Sequence, residues 1–279
     1  MGEIIIATAV LGVIGIVIGI LLGIAGEKLQ VEVDEKEIQV RELLPGNNCG
    51  ACGFPGCDGL AKAISLGEAE VNSCPVGGDI VGNAISEVMG VASEAKEKEV
   101  AFVKCAGTCE KTKVKYNYYG THDCRKAAVA PGGGEKACSY GCLGYGSCVK
   151  ECAFDAINIV DGIAVVDKEK CISCGKCVTI CPSNIIEMVP YKAEYKVQCL
   201  SNDKGKDVKV ACQAGCIGCK LCTKVCESDA ITVENNLAKI DYSKCINCGE
   251  CAEKCPVKII TVNKSQVLES VNYNNQVSI

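Results

Sequence analysis

Cys171, Cys174, Cys177, Cys181 and Pro182 stand in the spacing C-x2-C-x2-C-x3-C-P. No other regularity restricts the folding of this chain as tightly, because a loop with that spacing wraps its backbone around an iron–sulfur cluster. The pattern recurs 74 residues later as Cys245, Cys248, Cys251, Cys255 and Pro256. The same offset relates Cys148 to Cys222, Cys152 to Cys226, Ile157 to Ile231 and Asp167 to Asp241 without a gap. A duplicated cluster-binding module is therefore the first expectation.

Composition narrows the alternatives. The 279 residues include 25 cysteines but only three Phe and no Trp, so aromatic packing cannot hold the loops and disulfides, zinc or clusters must. An odd cysteine count with many C-x2-C pairs argues against a secreted disulfide scaffold and for metal in a reducing compartment. The formal charge of −5 omits cluster-bound thiolates, and no bulk basic footprint for nucleic acid is present.

Ile4 to Ala25 is a run of apolar residues and glycines broken only by Thr8, long enough to cross a bilayer of about 30 Å as one helix. A cleaved signal peptide would need a basic n-region and a small-residue cleavage site, and neither is present. Gly15, Gly19 and Gly23 recur on one face, a spacing that lets membrane helices approach closely but is also common in such helices. Lys28, Lys36 and Arg41 follow the helix while its amino-terminal flank has no positive charge, so the cysteine-rich body is expected in the cytoplasm.

Residues 27 to 42 read as a charged neck without a motif. Cys49, Cys52, Cys57 and Cys74 then form C-x2-C-x4-C-x16-C, amid glycines that let backbone wrap closely. A [4Fe-4S] cluster is the primary expectation there and structural zinc the alternative. Asp58 to Leu66 reads as a helix stopped by Gly67. Residues 79 to 103 read as a spacer helix with Ile80, Ala84, Val88 and Val91 on one face. Cys105, Cys109 and Cys124 lie among Lys104, Lys111, Lys113, Lys115, Arg125 and Lys126. That segment, with Tyr116, Tyr118 and Tyr119, reads as a solvated basic face, and His122, the only histidine, as a surface residue. Pro131 to Gly134 reads as a turn, since no Walker context follows it.

In each module the fourth cysteine of one loop is expected to reach the other cluster. Cys171, Cys174 and Cys177 then share a cluster with Cys152, and Cys138, Cys142 and Cys148 share one with Cys181. Ile157–Val160 and Ile163–Val166 read as a hairpin between the loops. The first loop is irregular because Tyr145 occupies the position of Cys219, and Cys138 is expected to substitute. The second module is regular: Cys216, Cys219, Cys222 with Cys255, and Cys245, Cys248, Cys251 with Cys226. Five clusters use all cysteines but Cys105, Cys109, Cys124, Cys199 and Cys212. A sixth is expected from Cys105, Cys109 and Cys124 with Cys199 or Cys212; free buried thiols are the alternative.

An amino-terminal span, then NNCGACGFPGC followed by CP, then GCLGYGSC and two ferredoxin modules, resembles the B subunit of the Rnf complex along essentially the whole chain. The resemblance implies an iron–sulfur subunit of a membrane-bound ferredoxin:NAD oxidoreductase that exports sodium ions or protons. It also implies a bacterial plasma membrane, soluble ferredoxin as electron donor, and partner subunits that hold flavins, the NAD site and the ion path. The expected architecture is α+β: an anchor (1–27), an N-terminal [4Fe-4S] domain (28–78), a spacer and extra-cysteine segment (79–130), module 1 (131–190), an insert with module 2 (191–263) and a polar tail (264–279). No catalytic residue, flavin or NAD site and no nucleic-acid partner is expected on this chain. A polyferredoxin subunit of another membrane oxidoreductase and a membrane-anchored zinc scaffold are the competing readings.

Overall fold

A computed structural model describes residues 2–28, 34–92 and 97–262. The tail from 264 to 279 lies outside the described residues. Helix α1 (Gly2–Lys28) covers the apolar run as one continuous helix. Its described side chains, at Gly2, Ile6 and positions 12–24, are exposed. The other side chains of the run lie outside the described residues, among which no helix is long and apolar enough to cross a membrane.

Helices α2 (Glu35–Leu43), α3 (Cys57–Ser65) and α4 (Gly78–Met89) make one small core. Val40, Leu60, Ile64, Val71 and Ile85 are buried in it. The supposed neck is thus a structural helix: Asp34 caps it by accepting from the Lys36 amide, Val40 packs inward, and Arg41 pairs with Asp58 across to α3. The spacer-helix expectation for 79–103 needs correction in its inward face and at its carboxy-terminal end. Helix α4 stops at Gly90, whose left-handed φ of 69° suits glycine, and it presents Gly82 and Ile85 inward while Ile80 is 85% exposed. Residues Glu99–Val103 form strand β1 instead, as their β-branched and aromatic content allows.

The remaining chain runs β1, α5 (Cys124–Ala128), α6 (Ser147–Glu151), β2 (Ile157–Val160), β3 (Ile163–Val166), α7 (Lys176–Ile180) and β4 (Ile186–Pro190). It continues with β5 (Tyr195–Val197), α8 (Gly205–Ala211), α9 (Leu221–Lys224), β6 (Ile231–Glu234), β7 (Leu237–Ile240), α10 (Glu250–Lys254) and β8 (Ile260–Val262). Antiparallel pairs β2–β3 and β6–β7 are hairpins, whereas β1 pairs with β4 and β5 with β8 across a whole module. Each module is thus a ring closed by its first and last strands. In module 1 that ring includes β1, so the module begins well before residue 131.

Close backbone approach fixes where the first loops lie. A Cβ on Gly144 would sit 2.4 Å from the Gly162 carbonyl oxygen, and one on its repeat partner Gly218 would sit 3.0 Å from that of Asn236. Each ligand-bearing loop therefore passes directly under the turn of its module's hairpin, and both glycines also have positive φ.

One buried charge departs from the apolar pattern. Lys196 on β5 is 1% exposed, its Nζ lies 5.3 Å from the Phe102 ring centroid, and that ammonium makes no hydrogen bond. Burial, with Lys168 nearby, lowers its pKa from 10.5 to about 8. The unfolded chain therefore holds more protons between those values, and stability rises with pH across that window. Lys196→Met is expected to stabilise the protein at pH 7 by on the order of 1–3 kcal/mol and to flatten that rise. Heating at fixed scan rate, read by loss of visible cluster absorption from pH 7 to 10, checks it; an unchanged or lower midpoint at pH 7 refutes it.

Candidate iron–sulfur sites

The N-terminal site is built on the start of α3. The Cys57 amide donates to Asn48 Oδ1 at 2.8 Å, and the Gly77 amide donates to Cys74 Sγ at 3.4 Å. Burial raises the Cys74 thiol pKa, and the neighbouring Cys52 and Cys57 add to the rise. Cys49 opens the same loop and is half-buried.

In the modules the cysteines surround cavities. Cys152, Cys171, Cys174 and Cys177 line one of about 340 Å³. Cys226, Cys245, Cys248 and Cys251 line its repeat counterpart, also about 340 Å³. Cys216, Cys219, Cys222 and Cys255 line a third of about 310 Å³. These are the groups expected from crossed spacing. Electrostatic coupling follows the same grouping. Burial pushes the Cys177 thiol up to about 12, helped by Cys171, Cys174 and Cys152. The same cause takes Cys222 to about 11 beside Cys216 and Cys219, and Cys251 to about 11 beside Cys245, Cys248 and Cys226. Backbone amides turn inward as well: Ala101 N–H donates to Cys171 Sγ and Ala164 N–H to Cys142 Sγ, both at 3.4 Å.

The remaining cavities differ from expectation in a specific way. Cys142, Cys148 and Cys181 share a cavity of about 370 Å³ with Cys124, not with Cys138. Burial lifts Cys148 to about 12, and Cys142, Cys124, Cys181 and Cys177 raise it further. The cause is local. Asp123 caps α5 by accepting from the amides of Arg125 and Lys126, the Cys124 amide donates to Ser147 Oγ at 2.9 Å, and Ser147 Oγ lies 3.2 Å from Asp123 Oδ2. This docks α5 on the start of α6, beside Cys148. Tyr145, at the Cys219 position, instead stacks on the His122 ring at 5.1 Å and meets Tyr118 at 5.7 Å. A sequence signal for this existed in the D-C-R-K cap, which places a cysteine at the first turn of a helix.

Cys138 lines a different cavity, of about 380 Å³, with Cys105, Cys199 and Cys212. The expected grouping of Cys105 with Cys109 and Cys124 is therefore not what the fold assembles. Cys109 is exposed beside the β2–β3 turn, its amide bonded to the Asp161 carbonyl at 2.9 Å. Both Cys199 and Cys212, not one of them, belong to the group.

These sets fit a multi-atom group. Among the described residues no three Cys, His, Asp or Glu side chains converge on a single-ion site. Instead, four sulfurs ring each volume, with amide donors aimed at several of them, which is the donor set thiolate-bound clusters take.

Comparisons with known proteins agree with this chemistry. Family profiles described as "Putative Fe-S cluster", "4Fe-4S binding domain" and "4Fe-4S dicluster domain" match residues 44–76, 164–187 and 215–259 respectively. The B subunit of the Na(+)-translocating ferredoxin:NAD(+) oxidoreductase complex of Acetobacterium woodii is 49% identical over 94% of this chain and 78% of its own length. The B subunit of the ion-translocating oxidoreductase complex of Methanosarcina acetivorans is 43% identical over 90% of this chain and 96% of its own. The corresponding proton-translocating subunit of Clostridium ljungdahlii is 39% identical over 93% of each. With that identity over nearly its whole length, the chain belongs to the B subunits of ion-translocating ferredoxin:NAD oxidoreductase complexes, the Rnf family.

Proposed function

We propose that this chain relays single electrons from reduced ferredoxin to partner subunits of a membrane-bound, ion-translocating ferredoxin:NAD oxidoreductase. The observation that carries the reading is the repeated gathering of four cysteines around one cavity. The ligand sets are Cys49, Cys52, Cys57 and Cys74; Cys124, Cys142, Cys148 and Cys181; Cys152, Cys171, Cys174 and Cys177; Cys216, Cys219, Cys222 and Cys255; and Cys226, Cys245, Cys248 and Cys251. A [4Fe-4S] cluster so held exchanges one electron at a potential set by charge, hydrogen bonds to sulfur and exposure. The chain's own part is to hold the thiolates, donate amides to them and keep water out. Flavin, NAD and ion sites belong to the partners in this reading.

Helix α1 serves as a single-pass anchor. Its 27 residues give about 40 Å of helix, more than the roughly 30 Å hydrocarbon layer. Lys28, Lys36 and Arg41 after it put the cysteine-rich body on the cytoplasmic side.

Ferredoxin docking rests on two lysine runs that tertiary structure brings side by side. Thr112 pairs with Cys212, the Lys113 amide donates to the Ala211 carbonyl, and the Gln213 amide donates to that of Lys111. Exposed Lys111, Lys113 and Lys115 thus adjoin exposed Lys204, Lys206 and Lys209, with Asp207 inside the second run and Glu110 and Asp203 flanking the two. Lys104 is excluded, since it pairs with Glu187 at 2.9 Å. A surface of that sign steers an acidic partner. Reversing Lys204, Lys206 and Lys209 to Glu is expected to slow bleaching of the chain by reduced ferredoxin about tenfold at low salt, with the difference fading at high salt. A salt-independent, unchanged rate refutes the docking surface, and no bleaching of the wild-type chain by reduced ferredoxin refutes the relay.

A further inference from the structure

Of the five cysteines that the sets above leave over, Cys105, Cys199 and Cys212 are buried and Cys138 half-buried, and these four are related to one another by the repeat. Cys138 and Cys212 are 74 residues apart. Cys105 and Cys199 are equivalent through strand register. Each stands two residues beyond the last residue of its module's first strand, where Val103 opposes Ile186 and Val197 opposes Ile260, and those isoleucines are again 74 apart. Each module therefore contributes the same two positions to one cavity. None of the four falls within a matched family profile.

Their surroundings repeat too. The Cys142 amide donates to Cys105 Sγ at 3.5 Å, and the amide of its repeat partner Cys216 donates to Cys199 Sγ at 3.4 Å. Gly107 N–H donates to Cys105 Sγ at 3.4 Å, and Thr112 Oγ1 to Cys212 Sγ at 3.6 Å. The ammonium of buried Lys136, held by the carbonyls of Gly107 and Gly162, supplies a positive charge close by. Amide donors aimed at sulfur are the contacts that cluster-bound cysteines take.

We propose that Cys105, Cys138, Cys199 and Cys212 hold a sixth [4Fe-4S] cluster, shared by the two modules and lying on their internal pseudo-symmetry axis. This rests on the cluster reading of the other sets. It gives the modules a common centre: the residues whose amides bond its sulfurs, Cys142 and Cys216, are themselves ligands of the neighbouring sets in modules 1 and 2. Each Sγ–H releases its proton to solvent as its Fe–Sγ bond forms, with no change in oxidation state.

Iron, zinc and acid-labile sulfide in the anaerobically purified full-length protein test it. The wild type is expected to carry about 24 irons, four for each of six clusters, and Cys138→Ala/Cys212→Ala about 20. Cys109→Ala, a change outside every set, is expected to keep about 24. About 20 irons in the wild type, or zinc in place of the missing four, overturns the sixth cluster without touching the other five. If the double variant does not fold, native mass spectrometry of the intact wild type still counts the clusters. A wild-type iron content near zero overturns the reading of all the sets together.

Discussion

Cys124→Ala is expected to remove one cluster, about four irons per chain, from the first module. The prediction is strong because the variant leaves three thiols around a buried cavity whose fourth wall was a sulfur held in place by the Asp123 cap and the Ser147 hydroxyl. A companion substitution sharpens it. Gly144 and Gly218 have φ of 81° and 64°, and Gly146 and Lys220 have φ of 72° and 58°, so the loop around Tyr145 follows the same path as the loop around Cys219. Tyr145→Cys introduced into Cys124→Ala should therefore restore the iron count and the visible absorption. Loss of iron without rescue would show that the two loops differ more than their dihedrals indicate. Full iron content in Cys124→Ala alone would remove Cys124 from the ligand set.

Removing the iron is expected to unfold residues 97–262 while α2, α3 and α4 retain part of their helicity. The modules have only two-stranded sheets, and an isolated two-stranded sheet is marginal in water. Their cores are built around the ligands: Cys142, Cys148, Cys171 and Cys177 belong to the first and Cys199, Cys216, Cys222 and Cys255 to the second. Without clusters, those thiols face gaps ringed by four sulfurs each. Metal-binding energy, on the order of 10 kcal/mol for a structural metal site, is then folding energy. The N-terminal core keeps Val40, Leu60, Ile64 and Ile85 packed on one another across three helices, an arrangement less dependent on its thiols. Hydrogen exchange after anaerobic chelation checks this: amides of β1–β4 should lose protection by several orders of magnitude. Persistent protection there would mean that the polypeptide alone holds the rings closed.

Much of this was present in the order of residues. The repeated C-x2-C-x2-C-x3-C-P loops and the hairpins between them are short-range features, and a spacing of two or three residues constrains backbone geometry directly. The helix after Cys57 and its stop at Gly67 are local for the same reason. Helix α4 was less readable, because Ile80 and Ile85 are both plausible inward residues and only packing on α2 selects Ile85.

The sequence alone determined that this is a duplicated cluster protein and even that Cys138 and Cys212 are counterparts. Which cavity each cysteine enters was decided only in three dimensions. Ring closure by β1–β4 and β5–β8 brings Cys105 and Cys199 to one place, and residues 111–114, bonded to 211–213 on one side and to Lys136 on the other, tie Cys138 and Cys212 to that same cavity. The Cys171 loop that restricts the chain so tightly reads three of its set, Cys171, Cys174 and Cys177, from spacing because they are neighbours along the backbone. The irregular sites draw theirs from segments tens of residues apart, and such pairings carry no periodic trace in the chain.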